Sequence, residues 1–131
     1  MIHVREADLD GVRVPTPHSR TIKHAIAPWG QGSEAIWVGF ALVDEGSTSN
    51  RHHHDNEEIF IVMEGEGRIC VGDESVEVAP GSVVRVPPTT DHQLVNRGEG
   101  VFKVAAIASP AFEKSYFDII HLIEDAERTS S

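Results

Sequence analysis

The longest run without a polar side chain covers positions 35–43, with the sequence Ala-Ile-Trp-Val-Gly-Phe-Ala-Leu-Val. Its branched and aromatic residues favour a strand, and the lack of polar alternation predicts that both faces of this strand are buried. A partner subunit could cover the outer face of such a strand. Residues 58–63 predict a second strand, which ends at the turn formed by residues 64–67, Glu-Gly-Glu-Gly.

Further short segments in the middle of the chain also have the composition of strands, and glycine or proline turns separate them. The two segments on either side of Gly72 predict a hairpin with a short loop. Many short strands at regular spacing favour a sandwich or a jelly-roll barrel, and nothing repeats at a fixed solenoid period. The predicted strands are residues 68–71, 75–78, 82–86, 92–96 and 101–107.

The two ends of the chain give weaker patterns. Residues 21–27 predict a strand that extends a sheet, preceded by a short strand at residues 12–14. Residues 111–125 carry aromatic and aliphatic side chains at helical spacing after Pro110, although a strand over residues 117–123 is the alternative. We expect residues 126–131 to be a frayed tail.

Length, composition and charge limit the class of protein. At 131 residues, 40% of them hydrophobic, the chain is expected to form a single domain over residues 1–131. The net charge of −10 is spread along the chain and disfavours nucleic acid as a partner, because phosphate binding needs clustered Lys and Arg. No apolar run approaches the roughly 20 residues of a membrane span, and the N-terminal residues lack the pattern of a secretory signal. We therefore expect no membrane partner and a cytoplasmic location.

Three histidines and one glutamate carry the strongest sign of chemistry. His52 and His54 are two residues apart, so on a strand both would point to one face while His53 points away. Glu58 and His92 offer a carboxylate and a further imidazole, and these ligand types suit iron, nickel and zinc and are tolerated by manganese. The pattern predicts a metal centre. The alternative is a solvated polar loop that binds metal adventitiously.

The spacing around these residues extends to two longer motifs. The first, over residues 46–65, has the order Gly46, His52, His54, Glu58 and Gly65, and the second, over residues 81–96, has the order Gly81, Pro87, His92 and Asn96. Together they resemble the two sequence motifs of the cupin superfamily, in its small single-domain form. Thr89 stands where the second motif has a glycine, so the turn before His92 departs from the family pattern.

The resemblance implies an all-β fold, the double-stranded β-helix or jelly-roll barrel, to which a short C-terminal helix can be added. It also implies a homodimer in which the terminal segments and residues 35–43 contribute to the contact. One divalent transition metal per chain is implied as the cofactor, with iron placed first and manganese, zinc and nickel as alternatives. Its implied ligands are His52, His54, Glu58 and His92.

The function implied by the resemblance is that of a metal-dependent enzyme acting on a small organic molecule inside the barrel. An Fe(II) dioxygenase is the first hypothesis. A non-redox isomerase, lyase or decarboxylase is the second, and a non-catalytic protein that binds a metabolite or a metal is the third. The complete ligand set argues against the third hypothesis, but fold analogy is a weak guide to reaction.

Several other residues are candidates for the pocket or for packing. Phe60 shares a strand face with Glu58 and predicts an apolar wall, and Arg85 could bind an anionic substrate or form a surface ion pair. The pocket candidates are Phe60, Arg85, Gln93 and Asn96. The histidines outside the motifs, His18, His24 and His121, are expected at the surface or at caps, and the two tryptophans, Trp29 and Trp37, in packing or in an interface.

Overall fold

Short strands joined by tight turns dominate the structure, a computed structural model that describes residues 1–30 and 33–118. A single turn of 3₁₀ helix, Glu6–Asp8, precedes the first strand. In chain order, the strands of the described residues are β1 (Val12–Val14), β2 (Arg20–Ile26), β3 (Trp37–Val43), β4 (Glu57–Glu64), β5 (Gly67–Val71), β6 (Glu74–Val78), β7 (Val83–Val86), β8 (His92–Asn96) and β9 (Phe102–Ser109).

The strands form two antiparallel sheets. The larger sheet has the order β1-β2-β3-β9-β4-β7, and the smaller sheet has the order β6-β5-β8. Buried residues from both sheets pack into one hydrophobic cluster. The all-β jelly-roll barrel predicted from the sequence is thereby confirmed.

The predicted strands agree with the observed ones to within about two residues at most ends. The hairpin around Gly72 joins β5 to β6, with Val71 paired to Glu74. The two N-terminal strands extend the larger sheet, because β2 pairs with β3 and β1 pairs with β2. In β2 the alternate residues Arg20 and Ile22 are buried, and after the register shift between His24 and Ile26 the buried residue is Ala25.

The core depends on close packing between the two sheets. Phe102 and Ile69 are fully buried, and burial of such a side chain contributes about 1.5–3 kcal/mol. Gly67 lies directly against the ring of Phe102, where a Cβ atom would come within 2.5 Å of the ring. A larger residue at position 67 would therefore displace the ring from the centre of the core.

Strand β3 differs from its prediction as a strand buried on both faces. Trp37, Gly39 and Val43 are buried, whereas Val38 and Phe40 on the opposite face are only half-buried in the isolated chain. The hydrophobic run over residues 35–43 therefore combines an inner face that packs in the barrel with an apolar outer face. The strand itself begins at Trp37, two residues later than predicted.

After β9 the chain crosses the mouth of the barrel. Residues 114–118 are helical, which agrees with the helix predicted from residue 111 onward. Residues 111–113 are irregular, so the helix begins three residues later than predicted. Residues 119–125 of that prediction, most of the alternative strand over residues 117–123, and the expected tail at 126–131 lie outside the described residues. Among the described residues, no helix is long and apolar enough to cross a membrane.

Candidate metal centre

The first two histidines of the cluster lie in a loop instead of the strand expected from their spacing. Residues 53–56 are irregular, and His52 forms an isolated antiparallel bridge with His92. The amide of His92 donates to the His52 carbonyl oxygen at 2.9 Å, and the reverse bond measures 3.2 Å. This bridge brings together residues that are forty positions apart in the sequence.

The imidazoles of His52, His54 and His92 converge inside the barrel. Their candidate ligand nitrogens all lie within 4.8 Å of one another. His54 and His92 are buried, and His52 is half-buried. Burial holds the pKa of His52 at about 4, because the charged form loses its hydration and also faces His92. The His52 imidazole is therefore neutral at neutral pH, the form that binds a metal.

Each of the three imidazoles is oriented by a hydrogen bond from Nδ1 to a main-chain carbonyl oxygen. The acceptors are Asn50 for His52 at 2.9 Å, Asn56 for His54 at 3.1 Å and Thr90 for His92 at 2.9 Å. A carbonyl oxygen can only accept, so Nδ1 carries the proton in each ring. In the neutral ring the Nε2 lone pair is then free to bind a cation.

Glu58, the second residue of β4, completes the cluster. Its Oε1 lies 3.0 Å from Nε2 of His54 and 3.3 Å from Nε2 of His92. Burial raises the pKa of Glu58, but hydrogen bonds from His54 and His92, where these rings carry a proton on Nε2, outweigh burial and lower the pKa. A buried carboxylate among three imidazoles needs compensating positive charge.

The donor set fits a divalent cation. With Nδ1 protonated, Nε2 of a neutral His54 and the carboxylate of Glu58 are both acceptors, so their contact needs a proton or a cation between them. Nε2 of His92 is buried without a hydrogen bond of acceptable geometry to any described residue. Three imidazole nitrogens and one carboxylate oxygen are ligands that iron, manganese, zinc and nickel accept.

The turn before His92 adopts the conformation that glycine usually provides. Thr89 has φ of 57°, and among the described residues it is the only non-glycine with positive φ. Its hydroxyl donates to the Pro88 carbonyl oxygen at 2.7 Å. Thr89 therefore departs from the motif in residue type only, because its backbone adopts the left-handed conformation that a glycine would adopt there.

His53 points away from the cluster, as its position between His52 and His54 predicted. Its Nδ1 lies 2.8 Å from Oδ1 of Asp91, and both side chains are exposed. Because Asp91 precedes His92, this contact joins the two motif segments from the outside.

A cavity of about 60 Å³ adjoins the histidine cluster inside the barrel. Phe60, expected as an apolar wall, lines this cavity, and its ring centroid lies 5.9 Å from that of His92. Most of the remaining wall is also apolar, which limits the number of waters near the cluster. The other apolar wall residues include Ile22, Trp37, Leu94, Ala106 and Phe112.

Three candidates for the pocket do not line this cavity: Arg85, Gln93 and Asn96. Arg85 lies on the outer face and pairs with Glu57 at 2.6 Å, because alternation along β7 turns Val84 and Val86 inward instead. Gln93 faces away from His92 and donates to the Ser49 carbonyl oxygen at 2.9 Å.

Asn96 shares the inner face with His92 but lies at the far end of β8. Its amide donates to the carbonyl oxygens of Val43 and Gly100 at 3.1 and 2.8 Å, and its own carbonyl accepts from the amide of Gly98. All three partners belong to β3 or the turn after β8. Asn96 therefore stabilises that turn and does not line the cavity for which it was a candidate.

Three polar residues of the cavity wall, Arg20, Ser49 and Tyr116, were not identified from the sequence. Arg20 is 3% exposed and donates to the His18 carbonyl oxygen and to Oδ1 of Asn50, both at 2.9 Å. Tyr116 also lines the cavity, and burial, together with the charge of Glu58, raises the pKa of its phenol. The alternation of Arg20 with Ile22 along β2 was a usable sign that Arg20 points inward.

His24 also differs from its expected place at the surface. It packs in an aromatic cluster with Trp29, Trp37 and Phe117, and Nε1–H of Trp37 donates to Nδ1 of His24 at 3.1 Å. Burial lowers the pKa of His24. Trp37 therefore has a packing role, as expected, and it also forms part of the cavity wall.

Comparison with known proteins identifies relatives without an assigned activity. An uncharacterised protein of Methanocaldococcus jannaschii is 31% identical over 81 residues, which cover 61% of this chain and 65% of that protein. An uncharacterised protein of Streptomyces coelicolor is 36% identical over 73 residues, covering 56% of this chain and 69% of that protein. These matches therefore span about two thirds of each relative.

Solved structures share the fold at low sequence identity. A predicted oxalate decarboxylase from Thermotoga maritima aligns with a TM-score of 0.74 at 18% identity, over 82% of this chain and 98% of that one. The polyketide cyclase RemF from Streptomyces resistomycificus aligns with a TM-score of 0.70 at 18% identity, over 84% and 80% of the two chains. At this level of identity the likeness concerns the fold alone.

The family assignment comes from the sequence profile of the Cupin domain, which matches residues 39–108. The matched range begins in β3, ends in β9 and contains all four residues of the cluster. The fold and the three-histidine cluster agree with this match. The chain belongs to the cupin family.

Proposed function

We propose that this protein is a metal-dependent cupin enzyme that acts on a small organic molecule inside the barrel. One divalent transition metal per chain is held by His52, His54, Glu58 and His92. The observation that carries the proposal is the shared orientation of the three imidazoles, each fixed through Nδ1 by a main-chain carbonyl. A solvated polar loop would not need three such bonds, whereas a metal centre gains ligand orientation from each of them.

The chain's own residues have separable tasks at this centre. The main-chain carbonyls hold the proton of each imidazole on Nδ1, and Glu58 supplies the negative charge that offsets a divalent cation. Phe60 and the other apolar wall residues exclude water from the reacting space. When bound, the metal supplies Lewis acidity and, in the case of iron, redox chemistry as well.

An Fe(II) dioxygenase is the form of this proposal that we place first. Three imidazoles and one carboxylate suit iron, and an apolar cavity suits a small, weakly polar substrate. Manganese, zinc and nickel are the alternative metals. The cavity adjoins the ligand nitrogens, so a substrate bound there lies next to the metal.

A non-redox isomerase, lyase or decarboxylase is the second candidate. Proteins with the same fold include a predicted oxalate decarboxylase and a polyketide cyclase, so the fold accommodates chemistry other than oxygen activation. A non-catalytic protein that binds a metabolite or a metal is the third candidate. It would bind metal or ligand without turnover.

The test is metal analysis of protein purified without a histidine tag, followed by oxygen uptake. We expect about one divalent metal per chain in the wild type, a large loss in His52→Ala and little change in His53→Ala, because His53 points outward. Oxygen consumption with a candidate substrate would support the dioxygenase, and activity without oxygen would support the second candidate. Equal metal content in the wild type and His52→Ala would contradict the proposed ligand set.

We further propose that a second copy of the chain covers the outer face of the larger sheet. Two rows of apolar residues cross this face in register: Val38, Ile107 and Ile59, and beside them Phe40, Ala105, Ile61 and Val83. Most of these side chains are half-buried, and Val83 is 64% exposed. A contiguous apolar surface of this kind is typical of an interface.

A further inference from the structure

Two spaces adjoin the histidine cluster, and the aromatic residues Phe112 and Tyr116 line both of them. The inner space is the cavity of about 60 Å³ inside the barrel. The outer space is an open depression of about 580 Å³, formed by the ligand loop and residues 110–116. His52, Phe112 and Tyr116 line both spaces. The position of the two aromatic rings therefore decides whether the spaces are continuous.

The rings of Phe112 and Tyr116 form a stacked pair over the cluster. Their centroids are 4.5 Å apart, and their planes differ by 5°. Both rings meet His54 nearly at right angles, with centroid distances of 4.9 Å for Phe112 and 5.6 Å for Tyr116. Trp37 packs against Phe112 from the sheet side at 5.1 Å.

The segment that carries this pair is attached to the ligand loop. Nδ2 of Asn56 donates to the Pro110 carbonyl oxygen at 2.6 Å, and the carbonyl oxygen of Asn56 also accepts the hydrogen bond that orients His54. The amide of Tyr116 donates to the Glu113 carbonyl oxygen at 3.1 Å and begins the helical turn. The stacked pair is thus positioned relative to the cluster by Asn56 and by the helix.

The inner cavity is small for an organic substrate. A volume of about 60 Å³ corresponds to roughly two water molecules in the liquid, whereas pockets for drug-sized ligands measure about 300–1,000 Å³. The outer depression has the larger volume, and the stacked rings line both the depression and the inner cavity. A larger ligand that moves from the depression to the cavity would meet these two rings.

We propose that the Phe112–Tyr116 pair determines the substrate specificity of this centre by size, admitting ligands of a few non-hydrogen atoms and excluding larger ones. This inference rests on the proposed metal centre, because the selected ligands are those that reach the metal. The hydroxyl group of Tyr116 is not required for the exclusion. The ring is required, since the stacked rings of Phe112 and Tyr116 line both spaces.

The test uses the full chain loaded with Co(II), whose visible spectrum reports ligands that reach the metal. Each protein is titrated with azide, a small linear anion, and with benzoate, a bulky one. We expect wild-type protein to bind azide and to bind benzoate poorly. Phe112→Ala and Tyr116→Ala should bind benzoate about tenfold more tightly or more, with azide affinity little changed. Tyr116→Phe keeps the ring and should retain the wild-type preference.

The outcomes separate this proposal from the proposed function. If wild-type protein binds Co(II) and its spectrum responds equally to azide and benzoate, and the alanine variants keep the same ratio, size selection by the pair is overturned while the metal centre remains. Failure of wild-type protein to bind Co(II) would overturn both. Phe112 is buried, so if Phe112→Ala does not fold, the half-buried Tyr116 provides the variant that decides.

Discussion

The amide of Thr89 donates to the carbonyl oxygen of His54 at 2.7 Å, and Thr89 does so from a left-handed backbone conformation. This hydrogen bond connects the turn before β8 to the loop that carries the first two histidines. A β-branched residue in this conformation is strained by about 1–2 kcal/mol. The strained residue lies in the turn before His92 and is hydrogen-bonded to His54, so it helps to position two candidate ligands.

Replacing this threonine should therefore stabilise the protein. We expect Thr89→Gly to raise the free energy of unfolding by about 0.5–1 kcal/mol, because relief of strain exceeds the entropy cost of glycine. Urea unfolding of the metal-free protein measures the change. Thr90→Gly in the same turn is the control: Thr90 has no positive φ, so its variant should be neutral or less stable. Equal effects of both variants would exclude strain at Thr89 as the cause.

Glu58 is expected to oppose stability in the absence of metal. In Glu58→Gln the side-chain amide can donate to Nε2 of His54, so no proton or cation is needed between the two groups. We expect the metal-free variant to be about 1 kcal/mol more stable than metal-free wild type in urea unfolding. A less stable metal-free variant would show that the carboxylate is satisfied without a cation.

The same variant should lose the response to metal. A metal present at 100 times its Kd stabilises the wild type by about 2.7 kcal/mol, and Glu58→Gln should show a much smaller increase at the same concentration. Thermal unfolding with and without added metal measures both values. Glu57→Gln is the matched control, because Glu57 pairs with Arg85 on the outer face.

Glu6, in the 3₁₀ turn near the N terminus, should make part of the free energy of unfolding depend on pH. Hydrogen bonds from Lys103 and Lys23 hold the pKa of Glu6 below its ordinary value of 4.5, and the two contacts measure 2.5 and 2.6 Å. A lowered carboxyl pKa gives stability that is present above pH 4.5 and is lost as the pH falls through the folded-state pKa. Glu6→Gln should be less stable by about 1 kcal/mol at pH 7.

The difference between wild type and Glu6→Gln should disappear in acid. Urea unfolding between pH 7 and pH 3 measures the difference at each pH. A constant difference over that range would contradict a contribution from the charged form of Glu6.

The apolar outer face makes a prediction about assembly. Val83→Glu places a charge at the exposed edge of the apolar rows and should shift a dimer toward monomer. Val76→Glu is the control, because Val76 is 49% exposed, lies on the smaller sheet and is not part of those rows. Light scattering coupled to gel filtration gives the mass of each variant. A monomeric wild type would remove the proposed interface.

Much of the fold could be predicted from the sequence, because local signals specify it. Glycine and proline turns indicated where the strands end, and the alternation of apolar and polar residues indicated which side chains face inward. The four cluster residues could be predicted from motif spacing, even though His52 and His54 lie in a loop. Spacing was therefore more informative than the strand geometry used to explain it.

The rest of the site depends on contacts that no local pattern contains. Tyr116 and Phe112 reach the cavity because the chain crosses the barrel mouth after β9, and this path is set by tertiary packing. Asn96 shares a face with His92, yet it lies four positions further along the strand, about 13 Å away, so a common face did not mean a common cavity. The outer face of β3 is half-buried in the isolated chain, and the apolar run alone could not distinguish burial in the core from burial by a partner subunit.

The His52–His92 bridge has a consequence for the kinetics of unfolding. His92 begins a strand of the smaller sheet, whereas Glu58 belongs to the larger one, so an ion bound to both would cross-link the two sheets. The binding site forms only after His52 and His92, forty positions apart, have come together. In a fold dominated by long-range contacts, this step comes late in folding. Bound metal should therefore leave the folding rate nearly unchanged and lengthen the lifetime of the native state.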